Sequence, residues 1–271
     1  MKVSIQKIHD KGSGDQNEDE LLIKENLFAV FDGATSLVKF VNSEGKSGGK
    51  LAAEICKDVF SNNGGSLKQI ASDANAALLE EMKRHRIDVT KKESLWNTAM
   101  AAVKLLNSGI EFLTIADCLI LSVFKDDTSK LVVPYNDIDL ETMRKWKELA
   151  DKQTENIWDK IKPQTDKVRR GVNVNYGVLN GEEKAIKFVK TGKISIDNVK
   201  SIIIFTDGLL IPKENPDETE NWNLFIRLYQ ESGPKGILKH VRSLETKDPK
   251  CWKYPRFKQH DDIAAIGIDF S

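Results

Sequence analysis

Four acidic groups, each abutting an apolar run, carry the chemistry open to this chain. They are Asn17-Glu18-Asp19, Phe31-Asp32-Gly33, Thr206-Asp207-Gly208 and His260-Asp261-Asp262, and the runs are Leu27 to Phe31, Ile202 to Phe205 and Ile263 to Ile268. A carboxylate set against a buried strand is costly unless a cation compensates it. Four such groups brought together by the fold would repel one another. Divalent cations are the usual remedy, and hard oxygen donors of this kind suit magnesium or manganese. Glycine after Asp32 and after Asp207 lets the backbone approach a ligand closely, with a carbonyl beside the carboxylate. Two ions about 3.5–4 Å apart can share a carboxylate and a water, and that water can attack phosphorus in line. Such hydrolysis needs no protein nucleophile, and none of Cys56, Cys118 and Cys251 sits in a phosphate-cradling loop. Ligands drawn from such distant segments imply a site made by the whole fold, and no D-x-D-x-D-G loop occurs.

The elements that must position these residues follow from periodicity. Val3 to Ile8 alternates like a half-buried strand, and Leu21 to Ile23 and Leu27 to Phe31 form two more around Lys24-Glu25-Asn26. Gly45 to Gly49 reads as a flexible approach to a helix carrying Leu51, Ala52, Ile55, Val59 and Phe60, which Asn62-Asn63-Gly64-Gly65 ends. Leu67 to Arg86 is a second amphipathic helix. Thr98 to Leu106 and Ile110 to Ile115 pair across Asn107-Ser108-Gly109, and Leu119 to Phe124 pairs with Leu131 to Val133 across Asp126-Asp127. Ile138 to Ile161 is charged and helical, with Trp146 and Trp158 expected in core contact. Gly171 to Leu179 and Lys184 to Val189 are patterned as strands, and the polar run Gly171 to Gly181 suits a turn lining the site. Trp222 to Tyr229 and Ile237 to Val241 are helical, and Ile263 to Asp269 is the last strand. Consecutive hairpins favour antiparallel sheets, and the helices need sheet faces to cover. The expectation is an α+β fold of two stacked antiparallel sheets flanked by helices, with the acidic groups at one end of the sandwich.

Composition narrows the partners. The 271 residues suit one large domain or two small ones, and 41 Lys plus Arg balance 41 Asp plus Glu. No overall field therefore favours nucleic acid. Three cysteines without a CxxC pair suit a reducing compartment. With no apolar signal core and no membrane-length apolar run, the chain is expected to be soluble, cytoplasmic and monomeric, without a membrane partner.

These residues, in this order, resemble the metal-dependent protein phosphatase family (PPM, type 2C). The matching features are Asn17-Glu18-Asp19, Phe28-Ala29-Val30-Phe31-Asp32-Gly33, Ala116-Asp117, Phe205-Thr206-Asp207-Gly208-Leu209 and Asp261-Asp262-Ile263-Ala264-Ala265-Ile266, spread over nearly the whole chain. A DG dipeptide alone is a common turn, but the ordered set is specific. The resemblance implies one phosphatase domain over residues 1–271, an α-β-β-α sandwich that hydrolyses phosphoserine and phosphothreonine in phosphoproteins. Asp32 would bridge two ions of magnesium or manganese, with the Gly33 carbonyl on one of them. Asp207 and Asp261 would complete the other shell. Glu18 would ligate or hold an ion-bound water, with Asp19 behind it, although either could be the direct ligand. Asp117, with Asp207, would hold a third ion. The helical segment near 137–170 falls where the family often carries a mobile flap.

The chain departs from the family at Gly14, where an arginine usually grips the substrate phosphate. Lys11, Arg169 and Arg170 are the candidate replacements. Ala34 replaces a histidine of animal members, and Ala116-Asp117-Cys118 replaces the usual Gly-Asp-Ser, so the chain resembles a divergent, bacterial-type member. His260, beside Asp261, is a candidate proton shuttle. Two other functions compete: a regulatory pseudophosphatase that binds a partner or phosphopeptide without turnover, and a phosphatase for a small phosphomonoester.

Overall fold

The computed structural model describes residues 2–34 and 36–271. Two five-stranded antiparallel sheets are stacked face to face. In chain order the strands are β1 (Val3–Asp10), β2 (Glu20–Lys24), β3 (Leu27–Ala34), β4 (Asn97–Leu106), β5 (Gly109–Ile115), β6 (Leu119–Phe124), β7 (Ser129–Leu131), β8 (Lys190–Ile194), β9 (Val199–Phe205) and β10 (Ile263–Phe270). One sheet runs β1-β10-β9-β6-β7 and the other β2-β3-β4-β5-β8.

Period-2 geometry explains why the central strands are apolar throughout. Phe28 and Val30 of β3 meet Ile202, Ile204, Ile266 and Ile268 of the facing sheet in the layer between the sheets. Their neighbours Ala29 and Phe31 turn outward beneath α1 (Gly48–Asn62) and α2 (Leu67–Arg84). On the other sheet Ile203 and Phe205 turn outward beneath α5 (Trp222–Ser232) and α6 (Pro234–Thr246). Burying both faces of a strand requires a continuous apolar run, and each run stops where the carboxylates begin. Among the described residues no helix is long and apolar enough to cross a membrane.

Several elements differ from the sequence expectation. Gly48 and Gly49 lie inside the first turn of α1, whose N-cap Ser47 accepts a hydrogen bond from the Lys50 N–H. They are required by close approach rather than flexibility: a Cβ on Gly48 would overlap the Trp96 indole, and one on Gly49 would crowd the end of β3 and Glu18. The helical insertion is two helices, α3 (Leu140–Asp151) and α4 (Ile157–Arg170), and α4 runs well beyond Ile161. Trp146 is buried as expected, but Trp158 is 43% exposed.

Neither Gly171–Leu179 nor Lys184–Val189 forms a strand. In the first, polar side chains take the hydrogen bonds that a ladder would use. Asn173 donates to Asn180 and Glu182 and accepts from the Val178 N–H, while Asn75 on α2 accepts from the N–H groups of Asn180 and Gly181. Glu183–Lys187 is a short 3-10 turn, and pairing with β5 starts only at Lys190.

Candidate active site

Each acidic residue is delivered by a strand end. Asp32 and Gly33 are the two residues before the last of β3, paired with Ala99 and Thr98 of β4. Asp207 follows β9, and Asp261 and Asp262 immediately precede β10, the neighbour of β9. Asp117 stands in the tight turn from β5 to β6, where Ala116 adopts a left-handed φ of 62°. Two glycines let these ends meet. A Cβ on Gly33 would fall inside the Gly49 carbonyl, and one on Gly208 would fall inside the carbonyl of Asp262.

Hydrogen bonds lock the loops together. Asp262 accepts from the N–H of Gly12 at 2.8 Å and from the N–H of Glu18 at 2.9 Å, which ties the Glu18 loop to the start of β10. Thr206 donates its hydroxyl to Asp19 at 2.7 Å and accepts from the Ala264 N–H at 3.0 Å. Ser47 donates to Glu18, so the α1 cap also fixes that carboxylate. Arg242 on α6 donates to Asp10, to Glu245 and, at 2.6 Å, to the Asp261 carbonyl.

Electrostatics show how closely the carboxylates gather. Burial pushes the Asp32 carboxyl well above its ordinary range, and the charges of Asp19, Asp207, Asp117 and Asp261 push it further. Burial raises Asp207 as well, reinforced by Asp117 and Asp261 and opposed by a hydrogen bond with Asp32. Asp19 is raised chiefly by burial, against the Thr206 hydrogen bond. Asp117 is pushed up to about 6 by burial, with Asp261 and Asp137 adding to it. Buried carboxyls with like-charged neighbours favour a proton or a cation as partner.

The donor set fits magnesium or manganese: it is all oxygen, with a backbone carbonyl beside Asp32. Among the described residues no three of these side chains converge on one point as they stand. Their oxygens are turned to internal partners instead, Asp19 to Thr206, Glu18 to Ser47 and Asp261 to Lys258.

The cluster forms the floor of a cleft of ≈ 380 Å³. Arg169 and Arg170, at the C-terminal end of α4, line its wall with Tyr176 and the aromatic rings of Trp158 and Phe257. The polar run beyond α4 therefore does border the cleft, through Val172, Tyr176 and Val178. Lys11 is not brought there. It is exposed, and its ammonium donates to the Asp15 carbonyl at 3.0 Å. His260 is not among the residues lining the cleft, and its Nδ1 lies 2.8 Å from Glu245.

Two lining residues escape a sequence reading. Asp139 is pushed up to about 7 by burial and by Asp117 and Asp137, with Arg169 opposing. Its only signal is the short Asp137-Ile138-Asp139 run. Lys258 donates to Asp261 at 2.6 Å, and its only signal is a place three residues before that aspartate. Burial disfavours the Lys258 charge, yet Asp261, Asp262 and Asp32 outweigh it and hold the ammonium above its ordinary range.

Comparison with known proteins agrees with this geometry. Residues 9–244 match the family described as Protein phosphatase 2C. Among solved structures, the serine/threonine phosphatase PstP/Ppp of Mycobacterium tuberculosis superposes with a TM-score of 0.60 at 14% identity, covering 99% of this chain and 99% of that one. The serine/threonine phosphatase Stp1 from Staphylococcus aureus gives 0.60 at 14%, covering 100% and 96%. The PstP catalytic domain in complex with two manganese ions gives 0.57 at 13%, covering 98% and 97%. At these identities the likeness is one of fold. No curated protein matches the chain by sequence.

Proposed function

The chain belongs to the protein phosphatase 2C family, and from that premise we propose that it hydrolyses phosphoserine and phosphothreonine monoesters with a two-ion magnesium or manganese centre. One observation carries the reading: four segments distant in sequence bring Asp32, Asp117, Asp207 and Asp261 to one cleft, and Asp19, from a fifth, lies buried within electrostatic reach of Asp32.

Asp32 is the residue on which the other four charges act, which suits the bridging ligand. Asp207, Asp261 and the Gly33 carbonyl would complete the two shells, with Glu18 and Asp19 beside them and Asp117 available for a third ion. When bound, the ions supply positive charge for the phosphate oxygens and lower the pKa of water toward neutrality.

The remaining steps fall to the chain. Asp262 and Thr206 hold the Glu18 and Asp19 loop against β10, so the segment that carries those two carboxylates is fixed in place. Arg169 and Arg170 bring positive charge to the wall opposite the floor, where a phosphorylated segment would enter. Helices α3 and α4 form the flap on that side, within a single phosphatase domain. Covalent catalysis by Cys118 is disfavoured, because burial and the surrounding carboxylates keep it a thiol.

The test is hydrolysis of p-nitrophenyl phosphate and of phosphopeptides with manganese, magnesium or EDTA, wild type beside Asp207→Asn. Metal-dependent turnover that the variant loses supports the reading. Folded, metal-loaded protein without turnover would move the assignment to a binding role, and turnover of small esters alone would exclude phosphoprotein as the substrate.

A further inference from the structure

We propose that Lys258 is the ammonium that holds the substrate phosphate in this cleft; the inference rests on the phosphatase reading above. A phosphate dianion must settle over a floor that carries Asp32, Asp117, Asp207 and Asp261, so a cation of the protein at that floor is the natural partner for its outer oxygens. Lys258 lines both the main cleft and the adjoining recess of ≈ 170 Å³, which places it where the two meet above Asp261. Its side chain is 43% exposed. An ammonium has three donors, and among the described residues Asp261 is the one acceptor it reaches. The other two donors are available to a ligand.

The loop that carries Lys258 is built to hold it still. Arg256 donates to the Asp248 carboxylate and to the carbonyls of Glu245, Asp248, Tyr254 and Gln259. Asp248 in turn accepts from the N–H groups of Trp252, Lys253 and Tyr254. Phe257, the preceding residue, packs edge-on against Trp146 and Trp158, with ring centroids 6.4 and 5.8 Å away. Lys258 is thus set between the flap aromatics and the floor, on the same loop as Asp261. The other cations are placed differently. Arg170 stands on the cleft wall with Arg169 and does not line the recess, and Lys213 of the recess is paired with Glu220 at 2.7 Å. Lys92 is drawn to the Val172 carbonyl at 2.6 Å, Arg169 acts on Asp139 and Tyr176, and Lys11 lies outside the cleft.

The experiment compares wild type, Lys258→Met and Lys258→Arg as full-length chains. Titration calorimetry follows manganese binding to metal-free protein and inorganic phosphate binding to manganese-loaded protein. Kinetics give KM, kcat and the inhibition constant of phosphate with p-nitrophenyl phosphate. Loss of one charge-assisted hydrogen bond predicts roughly 10- to 100-fold weaker phosphate binding in Lys258→Met, with KM rising in step. Manganese binding is not weakened, and Lys258→Arg stays within a few-fold of wild type.

Phosphate binding within twofold of wild type in Lys258→Met overturns the proposal. So does a parallel loss of manganese and phosphate binding, which would make Lys258 a support for Asp261 only. Thermal melts of all three proteins exclude misfolding. Failure of the phosphatase reading itself is separately visible, as absent manganese-dependent turnover in wild type.

Discussion

The indole N–H of Trp146 donates to the carbonyl of Cys251 at 2.7 Å, joining α3 to the loop that leads to Lys258 and Asp261. Around that bond Trp146, Ala150, Ile157, Ile161 and Cys251 form a small core of their own, flanked by Trp252 and Phe257. The helical insertion is therefore founded on the same loop that feeds the acidic floor, and wall and floor share one support.

Trp146→Phe removes one buried hydrogen bond and should cost about 1 kcal/mol. Trp146→Ala empties the centre of the small core and should cost about 3–5 kcal/mol. That core is separate from the clusters within and outside the sheets, so the loss should be local. Hydrogen exchange is the measurement: protection should fall across 140–170 and 251–258 and hold in β3, β9 and β10. Uniform loss over the whole chain would show that the insertion has no independent core.

Without metal, stability should fall as pH rises. Asp117 is pushed up to about 6 and Asp139 to about 7, against an ordinary value of 3.8. An acid raised in the folded state binds its proton more tightly there than in the unfolded chain. Its contribution is therefore most favourable below about pH 4 and is lost as pH climbs to about 7, by an amount of the order of a few kcal/mol. Melting temperatures in EDTA should decline across that window, and manganese should flatten the decline. A flat profile in EDTA would mean that Asp117 and Asp139 are not buried beside like charges.

Asp207→Asn should raise the melting temperature of the metal-free protein at pH 7, because it deletes a charge from a buried group of like charges. The same change should abolish metal-dependent hydrolysis. Destabilisation of the metal-free form would count against crowding by repulsion, since asparagine keeps the shape, can still donate a hydrogen bond to Asp32 and carries no charge.

Gly33→Ala and Gly208→Ala test the close approach of the strand ends. The added methyl would meet backbone in each case, the Gly49 carbonyl or the Asp262 carbonyl, and backbone cannot rotate away. Each variant should lose at least about 1–3 kcal/mol and bind manganese more weakly. Gly14→Ala is the control, since the nearest atom to its Cβ lies at 3.4 Å. Calorimetry of manganese binding beside thermal melts decides it, and unchanged binding in both variants would separate these glycines from the site.

Much of this architecture was legible because burial writes itself into composition. The runs of β3, β9 and β10 are apolar on both faces and end at carboxylates, so strand, burial and site edge coincide in one signal. The stretch after α4 was not legible. Val172, Val174, Tyr176 and Val178 alternate like a strand, yet Asn173, Asn180 and Asn75 satisfy the backbone from the side, and only the tertiary partner reveals that. Lys258 was hidden for a related reason. A lone lysine among 41 basic residues carries no pattern, and its meaning comes from a loop folded around Arg256. Trp158 misled in the opposite sense, since a large aromatic suggests core while here it edges a cleft.

Arg242 offers a way to separate fold stability from site geometry. Its guanidinium neutralises Glu245, which is 3% exposed, and also grips Asp10 and the Asp261 carbonyl. Arg242→Met leaves His260 as the remaining side-chain partner of Glu245 among the described residues, and breaking such a buried pair costs about 3–5 kcal/mol. Replacing both charges, Arg242→Met with Glu245→Met, removes the uncompensated carboxylate and should recover most of that loss, since apolar substitutes for buried ion pairs are often neutral. Manganese affinity should not recover, because the anchor on the Asp261 carbonyl is absent from both variants. Melts and manganese titrations of the single and double variants read the two quantities apart. Recovery of both in the double variant would show that Arg242 serves the fold alone and that Asp261 keeps its place without it.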